Sequence, residues 1–421
     1  MNFLKRYKKL FLVILFILII ILFATLLWRT FFVPLTPQIS TPEETLGTIG
    51  GLPEAGIGDF DTTDGQDPQQ LSGESDYPEE QTPEAGLEDR EPSSVANGSL
   101  TQITSISGSA TIGATISKNG DNVQYYDPHT GLFHRIDSQG NVYALSDRVF
   151  HSVENVSWSP DKEKAILEYP DGSNIIYDFE TQTQVTLPKH WEDFGFSPQS
   201  DQVVAKSLGL DPENRYLITS GVDGSTIKAI EYIGNNDDTV YPTWSPNNQV
   251  AAIYTEGLDF DRQEMFFIGF NGENFKSATI EGRGLQAQWS EDGDRLLYSV
   301  YNSHSNLMPQ LWIVNSQGDD IGANRTNLNV QTWADKCNFS NDRYIYCAVP
   351  EDLPEGSGLF PELALRTKDN LYKIDSYTGT KTLIAIPNGY YNISNLIITD
   401  DESELYFTDE GDQEVYQIKL K

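Results

Sequence analysis

The sequence predicts an all-β repeat domain that follows one transmembrane helix and an acidic linker. Three observations carry this prediction: an apolar run near the start of the 421-residue chain, a stretch rich in Pro, Gly, Glu and Ser, and a short motif that recurs through the remainder. We divide the chain into a basic cytoplasmic tail at residues 1–9, a transmembrane helix at 10–30, a disordered acidic linker at 31–98 and the repeat domain at 99–421.

The first element is the transmembrane helix. Residues Leu10 to Trp28 are apolar apart from Thr25, and about 20 such residues span the hydrocarbon core of a bilayer. Arg29 alone follows the run, whereas four basic residues precede it: Lys5, Arg6, Lys8 and Lys9. Because basic flanks stay in the cytoplasm, the rest of the chain is expected outside it, in the periplasm or the extracellular space. A cleaved signal peptide is the alternative, but its apolar core is usually shorter and no A-x-A-like site follows Trp28.

Charge distinguishes the linker and narrows the choice of partners. The chain has 62 acidic residues against 28 basic ones, a formal net charge of −34. Such a surface repels phosphate backbones, so a nucleic-acid partner is not expected. Between Pro34 and Gly98 apolar residues are too sparse to form a core, which predicts an extended tether. The acidic surface alternatively serves only to keep an exported domain soluble.

The repeat is a short strand that ends in an aromatic or aliphatic residue followed by Ser or Thr. It recurs every 40 to 60 residues or so, with clear copies at Trp158-Ser159, Phe196-Ser197, Trp244-Ser245, Trp289-Ser290 and Phe339-Ser340 and weaker ones at Ile116-Ser117 and Ile398-Thr399. A turn and three further strands complete each unit. Four antiparallel strands per unit are typical of a β-propeller blade, and the motif aromatics are expected in the core between blades.

The end of the chain predicts how the ring closes. The last copy has only three strands before the sequence stops, and the stretch Ser99 to Ile106 has the alternation of a fourth. Borrowing this strand would close the ring and cover the exposed edge. The prediction is a seven-bladed propeller, with six blades as the alternative if the copy at Ile116 is irregular.

The aromatic-Ser-Pro-Asp turn, as in Trp158-Ser159-Pro160-Asp161, resembles the TolB-type propeller repeat over roughly residues 105 to 421. The resemblance implies a propeller fold and a role in binding proteins of the cell envelope. A membrane anchor and an acidic linker stand here where that family has a separate domain.

Sequence motifs for catalysis or metal binding are missing after the helix. None of the common nucleophile, zinc-protease, Walker A or dinucleotide patterns occurs, so no catalytic, cofactor-binding or metal site is predicted. Asp259 and Asp261 share a loop, but two carboxylates are fewer than the six to eight oxygens that calcium takes. Cys337 and Cys347 align to adjacent antiparallel strands, a spacing compatible with a disulfide; two buried thiols are the alternative.

The loops between the second and third strands of a blade share one face with the links between blades. They lengthen through blades four, five and six, at Gly257 to Gln263, Asn302 to Pro309 and Pro350 to Lys368. They carry apolar residues that surface loops usually avoid: Leu258, Phe260, Leu307, Met308, Leu353, Leu359, Phe360 and Leu363. With acids such as Asp259 and Glu355 around them, these residues predict a protein-binding surface. The alternative is that the loops cover one another.

These features favour a non-enzymatic binding or scaffolding module of the cell envelope, with a monomeric propeller, no cofactor and a protein partner. The alternative is a propeller enzyme that acts on an envelope polymer through its central channel. It requires carboxylates or histidines that converge on the innermost strands, which mostly carry Ser, Thr, Gln and apolar residues. A third possibility is a purely structural envelope component.

Overall fold

The structure, a computed structural model, describes residues 91–421 apart from Ser138 and Asn274, together with the single residue Phe23. The predicted cytoplasmic tail, the transmembrane helix except Phe23, and the linker up to residue 90 lie outside these residues. Within the described part of the chain, no helix is long and apolar enough to cross a membrane. The anchor and the linker therefore stay predictions.

The described chain begins with two short strands, β1 at Leu100–Thr101 and β2 at Thr104–Ser105. Blade 1 is β3 Ile112–Ile116, β4 Val123–Asp127, β5 Leu132–Ile136 and β6 Val142–Ala144; blade 2 is β7 Asn155–Trp158, β8 Lys164–Glu168, β9 Asn174–Asp178 and β10 Thr183–Leu187; blade 3 is β11 Trp191–Phe196, β12 Gln202–Leu208, β13 Arg215–Gly221 and β14 Lys228–Tyr232.

The remaining four blades follow in the same order. Blade 4 is β15 Val240–Pro242, β16 Val250–Gly257, β17 Gln263–Gly269 and β18 Ala278–Ile280; blade 5 is β19 Arg283–Trp289, β20 Arg295–Tyr301, β21 Gln310–Asn315 and β22 Thr326–Asn327; blade 6 is β23 Cys337–Phe339, β24 Tyr344–Pro350, β25 Asp369–Asp375 and β26 Lys381–Pro387; blade 7 is β27 Ile393–Ile398, β28 Glu404–Asp409 and β29 Val415–Lys419. Short 3₁₀ helices lie at Pro212–Asn214, Asp237–Thr239, Ser303–Ser305, Gly318–Asp320, Ala334–Lys336 and Pro361–Ala364.

Each blade is one sheet in which strands adjacent in sequence pair antiparallel. The first strands of neighbouring blades are in contact, for example β3 with β7 and β27 with β3. These strands are therefore the innermost ones, and the contact between blades 7 and 1 closes the ring. The prediction of an all-β, seven-bladed propeller is confirmed, and the six-bladed alternative is excluded.

The core of the propeller lies between blades rather than within them. Among the described residues, buried apolar side chains form seven clusters, each shared by two adjacent blades. The cluster that closes the ring joins Ala114 and Tyr125 of blade 1 to Ile397 and Tyr406 of blade 7. A four-stranded sheet has two apolar faces, and this arrangement removes both from water.

The Ser or Thr of the repeat motif fixes the turn after the innermost strand in blades 2, 3, 4, 5 and 7. Ser159, Ser245 and Ser290 are fully buried. In blade 4 the Oγ atom of Ser245 accepts hydrogen bonds from the backbone N–H groups of Gln249 at 3.1 Å and Val250 at 2.9 Å. Thr399 does the same for Glu404 in blade 7, at 3.1 Å. The hydroxyl therefore satisfies turn donors that the sheet leaves unpaired.

Phe196 is buried in the core between blades as expected, whereas the three motif tryptophans are less buried than core residues. Trp158, Trp244 and Trp289 are half-buried, because their indole rings lie at the edge of the inter-blade clusters. Two of them bond instead to the preceding blade: Trp158 donates its Nε1–H to the Gly113 carbonyl at 2.6 Å, and Trp289 donates to the Thr243 hydroxyl at 2.8 Å. These tryptophans thus link consecutive innermost strands as well as packing between them.

The N-terminal segment closes the ring in two steps rather than one. Thr104–Ser105 pairs antiparallel with β29 as the predicted fourth strand of blade 7. Leu100–Thr101 instead pairs parallel with β26 and adds a fifth strand to blade 6. Between them Ile103 packs into the cluster shared by blades 6 and 7. The segment predicted as one strand therefore covers the outer edges of two blades, because it crosses from one to the next.

Cys337 and Cys347 face each other across β23 and β24. Their Cα atoms are 4.1 Å apart, and the structure joins their Sγ atoms in a disulfide. The pair is buried in the cluster between blades 5 and 6.

We predict that Ser245→Ala destabilises the propeller by about 1 to 3 kcal/mol, because the buried backbone N–H of Val250 loses its acceptor. Ser225→Ala, at an exposed position in blade 3, is the control and is expected to change stability by less than about 0.5 kcal/mol. Denaturant unfolding of the two variants measures the difference. Equal stability of the two would show that the buried hydroxyl is not needed for the turn.

Candidate protein-docking site

The loops between the second and third strands lengthen on one face of the propeller. They span residues 258–262 in blade 4, 302–309 in blade 5 and 351–368 in blade 6. Since strands alternate in direction, these loops and the links between blades emerge on the same face, which we call the long-loop face. The turns after the first and third strands emerge on the opposite face.

The three loops are hydrogen bonded to one another in series. The carboxylate of Asp261 in blade 4 accepts the backbone N–H and the hydroxyl of Ser303 in blade 5, both at 2.7 Å. The backbone N–H groups of Gly356 and Gly358 in blade 6 donate to the carbonyls of Asn306 and Leu307 at 2.9 and 2.7 Å. The alternative in which the loops cover one another is therefore partly realised, through backbone and polar contacts.

These contacts do not bury all of the predicted apolar residues. Leu307, Met308 and Leu353 are half-buried. The exposed fraction is 50% for Leu258, 63% for Phe260, 39% for Leu359, 52% for Phe360 and 46% for Leu363. Leu365, which was not among the predicted residues, is 58% exposed. The three loops are therefore held together by hydrogen bonds and expose large apolar side chains to solvent.

The two aspartates of the blade 4 loop hold the loop rather than a metal ion. Arg262 donates to Asp259 Oδ2 from Nε at 2.8 Å, and this bond lowers the pKa of Asp259. The hydrogen bonds from Ser303 likewise lower the pKa of Asp261. Both carboxylates stay ionised at neutral pH, and both have protein partners. Among the residues that the structure describes, no three His, Cys, Asp or Glu side chains come together to hold a metal ion.

Two acids at the mouth of the central channel were not predicted from the sequence. Asp335, in the 3₁₀ helix before β23, and Glu410, in the loop after β28, line one cavity of about 420 Å³ on the long-loop face. Burial raises the pKa of Asp335, and the neighbouring Lys336 opposes the rise. Because both acids lie outside the innermost strands, a search of those strands alone does not find them.

The innermost strands carry few groups suited to catalysis. The expectation of mostly Ser, Thr, Gln and apolar residues misses β11, where Glu192 and Asp193 are exposed. Asp193 forms an ion pair with Lys206 of the next strand. A cavity of about 710 Å³ lies beside blades 1, 2 and 7 and is lined by groups such as Thr115, Asn155 and Lys162.

Comparison with known proteins supports the fold and leaves function open. No protein-family profile matches the chain. No curated protein sequence matches it either. The propeller domain of Cps50 (Swd1) from Myceliophteria thermophila is similar, with a TM-score of 0.50 and 10% identity over 76% of this chain and 100% of that one. An oligogalacturonate lyase in complex with manganese has a TM-score of 0.50 and 14% identity over 76% of this chain and 91% of that one. At such identities the likeness shows only the propeller fold.

We predict that Gly358→Ala frees the blade 6 loop. A Cβ atom at this position would lie 2.5 Å from the Cβ of Tyr301 and 2.7 Å from the carbonyl oxygen of Leu307, so the loop must move away from blade 5. The expected cost is about 1 to 3 kcal/mol, with faster proteolytic cleavage between residues 351 and 368. Asp352→Ala, at an exposed position in the same loop, is the control. Identical cleavage rates in the two variants would contradict the packing described.

Proposed function

We propose that this chain is a single-pass membrane protein whose propeller lies outside the cytoplasm and binds a protein partner of the cell envelope. Binding takes place on the long-loop face, and the propeller catalyses no reaction. The segment at residues 10–30 anchors the protein, and the acidic linker holds the propeller away from the bilayer. Support for this topology comes from the basic residues before the apolar run.

The observation that carries the proposal is the exposure of Leu258, Phe260, Leu359, Phe360 and Leu363 on loops that hydrogen bonds hold in place. Exposed apolar side chains on a fixed backbone lose little conformational freedom on binding, so more of the burial energy appears as affinity. Aromatic residues in particular are common anchors at protein interfaces. Leu307, Met308 and Leu353 are half-buried and offer less surface to a partner.

Composition supports a protein rather than a nucleic acid as the partner. The formal net charge of −34 opposes the approach of a phosphate backbone. The polar groups around the apolar residues, among them Asp259, Arg262 and Glu355, resemble the rim of a protein interface.

The alternative, an enzyme acting on an envelope polymer through the channel, has weaker support. Within the described residues no metal-ligand cluster occurs, and the acid pair Glu192 and Asp193 on β11 has one member bound to Lys206. A general acid and base would both need to be free to reach a substrate.

Photo-crosslinking in native membranes tests the proposal. A benzoylphenylalanine in place of Phe360 or Phe260 is expected to form one discrete adduct with a protein partner. The control position is Ile227, which is 58% exposed and lies between β13 and β14, on the opposite face. The double variant Phe260→Ser/Phe360→Ser is expected to recover the same partner at least about tenfold less well. This corresponds to a loss of about 1.4 kcal/mol of binding free energy. Equal adduct formation from Ile227, or none from the long-loop face, would refute the assignment.

A further inference from the structure

The cavity at the channel mouth opens directly beside the exposed residues of the blade 6 loop. One side of it is formed by Leu365 and other residues of that loop, and the rest by Gln286 of β19, Trp333, Asn395 of β27 and the two acids Asp335 and Glu410. Its volume of about 420 Å³ falls in the usual range for binding pockets, about 300 to 1,000 Å³. The apolar surface and the cavity are therefore one continuous site on the long-loop face.

The charge of this cavity is negative. Its one lining cation among the described residues, Lys336, is already engaged: Nζ lies 2.8 Å from Asp369 Oδ2 and 2.5 Å from Asn392 Oδ1. Asp335 and Glu410 form no ion pair with any described residue. Asp335 and Glu410 thus line the recess without an ion-pair partner of their own, because Lys336 is bound to Asp369, and both acids would favour a cation that enters it.

The cavity also contains a neutral hydrogen-bond acceptor, the side-chain amide oxygen of Gln286. The Oε1 atom of Gln286 is buried and has no hydrogen-bond partner among the described residues. Gln286 is half-buried at the wall of this cavity, so its amide can turn to pair with an N–H group brought by a ligand. A lysine or arginine side chain carries both the positive charge and the N–H donors.

We propose that the partner presents a lysine or arginine side chain flanked by apolar residues, and that the basic group enters this cavity. The flanking residues then lie on the exposed Phe360, Leu363 and Leu365. This inference rests on the proposed function and specifies the chemistry of the partner. It assigns the cavity to a protein segment, since a free small cation would not account for the adjoining apolar surface.

Binding of short labelled peptides to the full-length chain in nanodiscs tests the inference, with empty nanodiscs as the blank. The probes are Ac-Ser-Leu-Lys-Leu-Phe-Ser-NH₂, its arginine analogue and its norleucine analogue, which keeps the apolar length without the charge. The basic peptides are expected to bind at least about tenfold more tightly than the norleucine peptide, a difference of about 1.4 kcal/mol. Equal affinities, or no binding by either basic peptide at about 1 mM, would overturn the inference.

Charge-neutral variants locate the effect. Asp335→Asn with Glu410→Gln is expected to remove the preference for the basic peptides and to keep the thermal unfolding temperature the same or raise it, because neither acid forms an ion pair with a described residue and burial already disfavours the charge of Asp335. Asp319→Asn with Asp320→Asn removes the same charge at exposed positions between β21 and β22, on the opposite face, and is expected to keep the preference. A preference that survives in the first variant overturns the assignment of the cavity.

Failure of this inference is distinguishable from failure of the proposed function. If the Asp335→Asn/Glu410→Gln variant still crosslinks fully through position 360, the docking face stands and the basic group does not use the cavity. If that variant crosslinks at a tenth of the wild-type yield or less, the cavity is part of the interface.

Discussion

A four-stranded β-sheet with two apolar faces can bury both of them only against other sheets. In this protein seven such sheets stand face to face around an axis, and the buried clusters lie between them. Each blade buries its apolar faces only against its neighbours, so an open ring would leave two faces exposed. The N-terminal segment supplies that closure by pairing with β26 and with β29 before blade 1 begins. The same segment covers sheet edges that would otherwise be free to pair with other chains.

A closed ring fixes the base of every loop, and this explains how three unlike loops become one surface. The loops of blades 4, 5 and 6 start from neighbouring strands, so Asp261 reaches Ser303 and the backbone at Gly358 reaches Leu307. Polar contacts hold the loops while Phe260 and Phe360 stay exposed. A docking surface needs side chains that are exposed on a rigid backbone, and these loops provide both. The cavity beside them adds a charged recess to the apolar surface.

Much of the fold could be predicted from the sequence because the repeat encodes local structure. The Ser or Thr of the motif makes the same turn bonds in blades 2, 3, 4, 5 and 7, and the alternating strands that follow have the length of blade strands. The loop lengths could also be predicted, because Gly257, Asn302 and Pro350 lie at or directly after the ends of their strands. The eight apolar loop residues could be found by composition, but the sequence did not show which of them are exposed, because burial of Leu307, Met308 and Leu353 depends on contacts between loops of different blades.

Other features depend on contacts between residues distant in sequence and were not predictable. The N-terminal segment forms two strands instead of one because the outer edges of blades 6 and 7 lie side by side in the closed ring. The half-burial of Trp158, Trp244 and Trp289 depends on the width of the wedge between blades, which no single repeat encodes. Asp335 and Glu410 come from a link and a loop of different blades, and only the closed ring places them in one cavity.

Closure of the ring by the N-terminal segment is the claim on which the rest depends, and a cysteine pair tests it most directly. Thr104 and Gln417 are register partners in β2 and β29 and are not among the buried core residues. In the Thr104→Cys/Gln417→Cys variant, directly opposed strand positions are close enough for a disulfide. The account predicts a complete intramolecular disulfide in the monomer, seen as an additional bridge by peptide mapping under non-reducing conditions. Free thiols at both positions, or a bridge between two chains, would contradict it.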